Sequence, residues 1–232
     1  MYGNLTGWHP RRSLLKRRHW RATTIGPSMT MKLPQAFLDR LEEADQPQTN
    51  PYLRYTALES GTSANFSLLE KDPFCYYLVW AVAKDGGKKK PFRFLDEPSD
   101  KDIELELGRE YARDLNYEKT GVRKPDLCFT WPVYNWDLKE VQILEVSHAS
   151  LRNQFAKFGL NKKYKNLLSW DFELTKVVTD RTRYDLMIVP RDDEEHDEDA
   201  MEKAWDEVQQ AGFELKELLR NEAGADPFKP ES

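Results

Sequence analysis

The chain has 232 residues, 35 Lys plus Arg against 40 Asp plus Glu for a net charge of −5, and a composition that is 39% hydrophobic and 32% charged. That balance suits a soluble globular chain with polar extensions and excludes a collagenous or wholly disordered one, and no apolar run approaches the ~18 residues a membrane span needs. Two cysteines without CxxC spacing, Cys75 and Cys128, and four scattered histidines (His9, His19, His148, His196) argue against a disulfide scaffold and a structural zinc site. The basic N-terminus has no apolar stretch behind it, so no signal peptide is expected and a cytoplasmic protein follows.

Residues 1–28 form a basic arm, in which Arg11, Arg12, Lys16, Arg17, Arg18 and Arg21 stand without any acid. It is either an interaction tail or an upstream extension, since Met29 and Met31 are alternative starts. Residues 29–52 read as a short helix near 36–43 and then a linker broken by Pro47 and Pro51. From 53 to 190 the chain is nearly neutral and mainly β with inserted helices. Runs rich in β-branched and aromatic residues predict strands at 53–58, 76–84, 91–95, 128–136, 141–146, 171–178 and 183–189, with hairpin turns at 85–87 and 135–139. Ile103, Leu107, Tyr111 and Leu115, four apart, predict one amphipathic helix, and Ser147 can cap a second, with Leu151, Phe155 and Phe158 on one face and Gly159 at its close. From 191 to 232 there are 15 acids and 5 bases, a local charge of −10. Met201, Trp205, Val208, Gly212, Leu215 and Leu219 alternate in steps of four and three, predicting an acidic amphipathic helix that packs on the body or on a partner; 224–232 read as a disordered end.

Several enzyme signatures are absent. Gly86-Gly87-Lys88 lacks the upstream glycine and the hydroxyl residue of a phosphate loop, and neither GxSxG nor HExxH occurs. Pro125-Asp126 with Asp137-Leu138-Lys139 spells the PD…(D/E)xK order of Mg²⁺-dependent nucleases, but Asp137 and Lys139 fall in a predicted turn, whereas that chemistry needs them on one strand face beside Asp126. What the body offers is cations interleaved with rings. Lys88, Lys89 and Lys90 precede Phe92 and Arg93; Arg123 and Lys124 precede Phe129, Trp131, Tyr134 and Trp136; Lys176, Arg181 and Arg183 flank Tyr184. Cations neutralise backbone phosphates and ring faces stack unpaired bases, which is what single-stranded nucleic acid requires, although alternation along a strand turns about half of such rings into a core.

The segments 141–147 (VQILEVS), 170–176 (WDFELTK), Thr182-Arg183-Tyr184 and Val189-Pro190, together with 133–136 (VYNW) and 90–94 (KPFRF), resemble the core of the single-stranded DNA-binding proteins of tailed phages, distantly similar to the helix-destabilising protein of T-even phages. The resemblance spans about 50–190 as short motifs. It implies an OB-fold, a five-stranded partly open barrel, and a non-catalytic role in which the protein coats single-stranded DNA in replication, recombination and repair, with self-association along the strand. The T-even relative carries a zinc module for which this chain has no residues, so no cofactor is expected and 94–124 must be held by packing. This chain also has Val177 to Asp180 where many relatives place glycines.

On this reading the expected phosphate contacts are Lys88, Lys89, Lys90, Arg93, Arg123, Lys124, Lys176, Arg181 and Arg183, and the expected stacking rings are Phe92, Trp131, Trp136 and Tyr184. The acidic C-terminal stretch is expected to compete with DNA and to recruit replication or recombination proteins, and Asp226-Pro227-Phe228 resembles the acidic tip of bacterial single-strand binders. Deleting 191–232 is then expected to tighten binding. The rival readings are the Mg²⁺-dependent nuclease and a protein–protein adaptor working through the acidic helix.

Overall fold

The computed structural model describes residues 50–192, 196–221 and 226–229; the basic arm and the expected helix and linker up to residue 49 lie outside the described residues. The body is mainly β: β1 (Ser63–Leu68), β2 (Phe74–Ala83), β3 (Lys89–Phe94), β4 (Tyr111–Arg113), β5 (Asp126–Asn135), β6 (Glu140–Val146), β7 (Trp170–Val178) and β8 (Thr182–Pro190). They form one eight-stranded antiparallel sheet in the order β3-β2-β5-β1-β7-β8, with β4 added to β2 and β6 to β5. The sheet is not closed into a barrel: its path runs open from β3 to β8, with eight strands where the resemblance implied a five-stranded, partly open barrel.

β5 organises it. One edge pairs with β2 through 126–130 and then with β1 through 133–135, while the other edge pairs with β6. Pro132, with no N–H to give, sits at the changeover between the two partners. β6 is extended in turn by a parallel bridge between Tyr52 and Ile143, which brings Tyr52 into the body.

One sheet face packs on α2 (Ala149–Leu160) and on the 3-10 turn Tyr55–Ala57, burying Phe66, Trp131, Val133, Leu144, Leu151, Phe155, Phe172 and Tyr184. The same face near β3 packs on α1 (Asp100–Leu107), where Val79 and Phe92 meet Ile103 and Leu107. α1 is capped by a reciprocal Ser99–Asp102 box and stops at Gly108, whose φ of +59° a side chain resists. It therefore does not reach Tyr111 and Leu115 as the four-residue spacing suggested: Tyr111 is in β4 and Leu115 is exposed. α2 follows the predicted helix but runs through Gly159 to Leu160. The expected strand at 53–58 is instead the 3-10 turn.

The opposite face is covered by the C-terminal stretch. α3 (Glu198–Gln210) ends before Gly212, whose φ is +91°, and Leu215–Leu219 follow as a 3-10 turn, so the expected stripe through Leu219 is broken in two. Met201 packs on Tyr134 and Trp136; Leu215 and Leu218 pack on Tyr76, Leu78, Cys128 and Ile143. Phe228, expected at a free acidic tip, lies 5.0 Å from Phe213 ring to ring. The buried Asp171 carboxylate holds the start of this stretch, receiving Arg191 Nε at 3.2 Å, pairing with His196 Nδ1 at 2.6 Å and accepting the Ser67 hydroxyl. The body thus extends past the expected boundary at 190, because its second face needs an apolar cover.

Candidate nucleic-acid interface

Cross-strand register decides which expected contacts face water. Phe92, Trp131, Trp136 and Tyr184, the four rings assigned to stacking, are 3%, 3%, 8% and 7% exposed. All four are core. Trp131 lies 4.8 Å from Phe155, and Tyr184 meets Tyr55 edge-on at 5.0 Å. Trp136 gives its Nε1–H to Ser67 Oγ at 2.8 Å and presents its face to His196 at 4.2 Å, so neither its edge nor that face is left for a base. The alternation that makes a strand aromatic says nothing of which side another element will cover.

The cations divide. Lys88, Lys124, Arg181 and Arg183 are exposed. Lys89 pairs with Asp114 and lies 5.5 Å from the Trp80 ring. Lys90 sits 4.7 Å over Phe92 and donates to the Asn221 carbonyl. Arg123 pairs with Asp126 at 2.6 Å, and Lys176 donates to the Thr56 carbonyl at 2.7 Å. Arg93 is not a free phosphate contact. Its guanidinium donates to Glu145 Oε2 from Nε at 3.1 Å and Nη2 at 2.8 Å. Burial alone would lower the Arg93 pKa, but the Glu145 carboxylate outweighs it and holds the guanidinium more firmly charged.

This pair lies at a cleft of about 460 Å³ between residues 52–56 and the β2–β3 ribbon, lined among others by Tyr52, Arg54, Trp80, Pro91, Arg93, Glu145 and Ser147. Register explains the assembly: Trp80 is opposite Pro91, Arg93 opposite Leu78, and Glu145 opposite Thr130, which places Trp80, Arg93 and Glu145 on one face. Tyr76, buried beneath, donates its hydroxyl to the same Glu145 oxygen. Burial, then the neighbouring carboxylate, pushes the Tyr76 phenol well above its ordinary range, so it stays a donor. Burial likewise raises Tyr52. Trp80 and Tyr52 are half-buried and Arg54 at the rim is exposed. These three were not among the expected contacts. Trp80 follows Tyr76 and Leu78 at the strand period, a pattern that marks a core; only the gap left by the chain at 52–56 shows it as a wall. Tyr117, fully exposed in the loop between Leu115 and Val122, was also missed, and a ring inside a turn sequence was its one signal.

The expected contacts do not form one patch. Lys88, Lys89, Lys90 and Arg93 are at the β3 end of the sheet order, whereas Lys176, Arg181 and Arg183 are on or between β7 and β8 at the other. The nuclease order does not assemble either. Asp126 begins β5 and Asp137 lies in the turn beyond its end; the nine strand steps from Asp126 to Asn135 alone span roughly 30 Å, too far for the two carboxylates to share a metal. Asp137 instead accepts the Asn65 backbone N–H at 3.1 Å, and Lys139 takes a φ of +56° in the turn. Among the described residues no helix is long and apolar enough to cross a membrane. Comparison with protein-family models, curated proteins and solved structures finds no match to this chain.

Proposed function

We propose that this protein binds single-stranded DNA without catalysis, coating it during phage-type replication, recombination and repair, with the open antiparallel sheet acting as an elaborated OB-type platform. The observation that carries the reading is the cleft: a half-buried Trp80 and Tyr52 beside an exposed Arg54, with Lys88 and Lys89 leading into the adjoining strand. Rings at a cleft wall can stack bases, and cations along its rim can follow the phosphates. Lys124, Arg181 and Arg183 supply exposed charge away from the cleft and add attraction without stacking. The resemblance of 141–147 and 170–190 to the phage binders points the same way. The adaptor reading, which rests on the acidic C-terminal helix, has less support, since Met201 and Leu215 of that stretch pack on the protein's own sheet.

Titration of the full chain with oligo-dT, followed by tryptophan fluorescence, tests this. Saturable quenching without Mg²⁺, steeply weakened by salt, is expected, and Trp80→Leu is expected to cost roughly fivefold or more in affinity, as the loss of one base–ring stack does. Quenching that is absent at low salt refutes the reading.

A further inference from the structure

Resting on that reading, we propose that the cleft beside Trp80 is a subsite for one unpaired base bearing an exocyclic amino group, whose edge is read by the second carboxylate oxygen of Glu145. The oxygens of this side chain are used unequally. Oε2 takes the Tyr76 hydroxyl, Arg93 Nε and Arg93 Nη2; Oε1 takes no hydrogen bond from any described residue. Glu145 lines the cleft, its side chain is 17% exposed, and Oε1 is not among the buried side-chain atoms that lack a partner, so this spare acceptor is open to a ligand. Three donors on one oxygen fix the carboxylate's position, and a carboxylate paired with Arg93 can only accept.

That restriction chooses the ligand. On its pairing edge thymine offers a single N–H between two carbonyl oxygens, which the carboxylate repels. Cytosine and adenine offer an amino group, and a glutamate accepting from the cytosine amine is a known way of reading that base. In a single strand this edge is free. The volume of about 460 Å³ falls within the ~300–1,000 Å³ usual for small-ligand sites and leaves room for a base against Trp80 or Tyr52. Arg54 at the rim supplies a cation for the attached phosphate. A binder that grips the backbone without sequence preference would then carry one position that discriminates.

Oligo-dT and oligo-dC of equal length, two pyrimidines of similar size, separate the outcomes on the full chain. The dC strand is expected to bind roughly tenfold more tightly, as a hydrogen bond to a charged group warrants. Replacing cytosine by 2-pyrimidinone, which lacks the amino group, should return affinity to the dT level. Glu145→Gln should shrink the dC preference to about twofold or less, since an amide can donate to the thymine carbonyl as well as accept. If that variant fails to fold, the 2-pyrimidinone strand decides the matter on the unaltered protein. Equal binding of dC and dT, both quenching, overturns the subsite and leaves the single-strand reading intact. Absence of quenching by either overturns both.

Discussion

At the β3 end of the sheet, the free strand edge is met by Asn221, which accepts from Arg93 N at 2.7 Å and donates to Arg93 O at 3.1 Å. At the β8 end, Gln154 does the same, accepting from Leu186 N at 2.9 Å and donating to Tyr184 O at 2.8 Å. One amide side chain blunts each end of an open sheet, occupying backbone groups that would otherwise template pairing with another chain. The difference lies in what carries the amide. Gln154 belongs to α2, whose Leu151 and Phe155 are buried in the main core, whereas Asn221 hangs from the C-terminal stretch laid over the other face. The β8 end is thus built by the core itself, and the β3 end, with the cleft, depends on a cover that arrives last in the chain.

The largest expected effect tests that dependence. Leu218, 3% exposed, joins the cover to Tyr76 and Ile143, and Leu218→Ala should destabilise the protein by about 2–4 kcal/mol in urea unfolding. Met187, on β8 and half exposed, has no such cover, and Met187→Ala should stay within about 0.5 kcal/mol of the parent. Similar losses at both positions would break the contrast. For the same reason, deleting 191–232 is no clean test of tail competition: it strips the apolar cover together with the acids.

How far this was legible in the sequence depends on what each residue needed to know about its surroundings. β5, β6, β7 and β8 followed from β-branched and aromatic runs because those residues suit a strand whichever neighbours they acquire. β1 was missed. Its sequence, SANFSL, buries Ala64, Phe66 and Leu68 against β5 and β7, but Ser63, Asn65 and Ser67 between them carry little strand preference, and the partners lie about 70–110 residues away. The candidate site suffered more, since orientation is tertiary information. Trp131 and Trp80 both sit among strand hydrophobics; α2 covers the first and an open cleft borders the second. Lys90 and Arg93 were identifiable as cations, but their commitments to Asn221 and Glu145 come from elements 131 and 52 residues onward.

A smaller effect sharpens the comparison of the two edges. Gln154→Ala and Asn221→Ala each remove two hydrogen bonds to strand backbone, and each should cost about 1–2 kcal/mol, since the freed groups regain water. Hydrogen exchange should separate them. Without Gln154 the Leu186 amide should lose protection locally while the α2 core stays protected. Without Asn221 the Arg93 amide should exchange faster together with amides of 215–219, because the amide also tethers its own segment. If both variants open only their own strand edge, the C-terminal cover is anchored independently of Asn221.

The smallest effect belongs to the β8 end alone. His148 shares a 2.9 Å hydrogen bond with the Tyr55 hydroxyl and meets the Tyr184 ring edge-on at 4.9 Å. Burial, and then the nearby Arg123, lowers its pKa below the ordinary 6.5, so the folded protein holds this ring neutral. The unfolded chain takes up a proton first as pH falls. The stability contributed by a neutral His148 is therefore complete above pH 6.5 and is lost as pH drops through and below that value. Because the ring is partly exposed, solvent screening limits the loss to roughly 0.5 kcal/mol. Urea unfolding at about pH 7.5 and about pH 5.0 should show the parent losing that much more than His148→Gln, whose amide keeps a partner for Tyr55 without titrating. Carboxylate titrations are common to both proteins and cancel in the difference. An equal or larger loss in the variant would show that the β8 end does not hold its histidine neutral, and that the rings around Tyr184 tolerate a charge as readily as the solvent does.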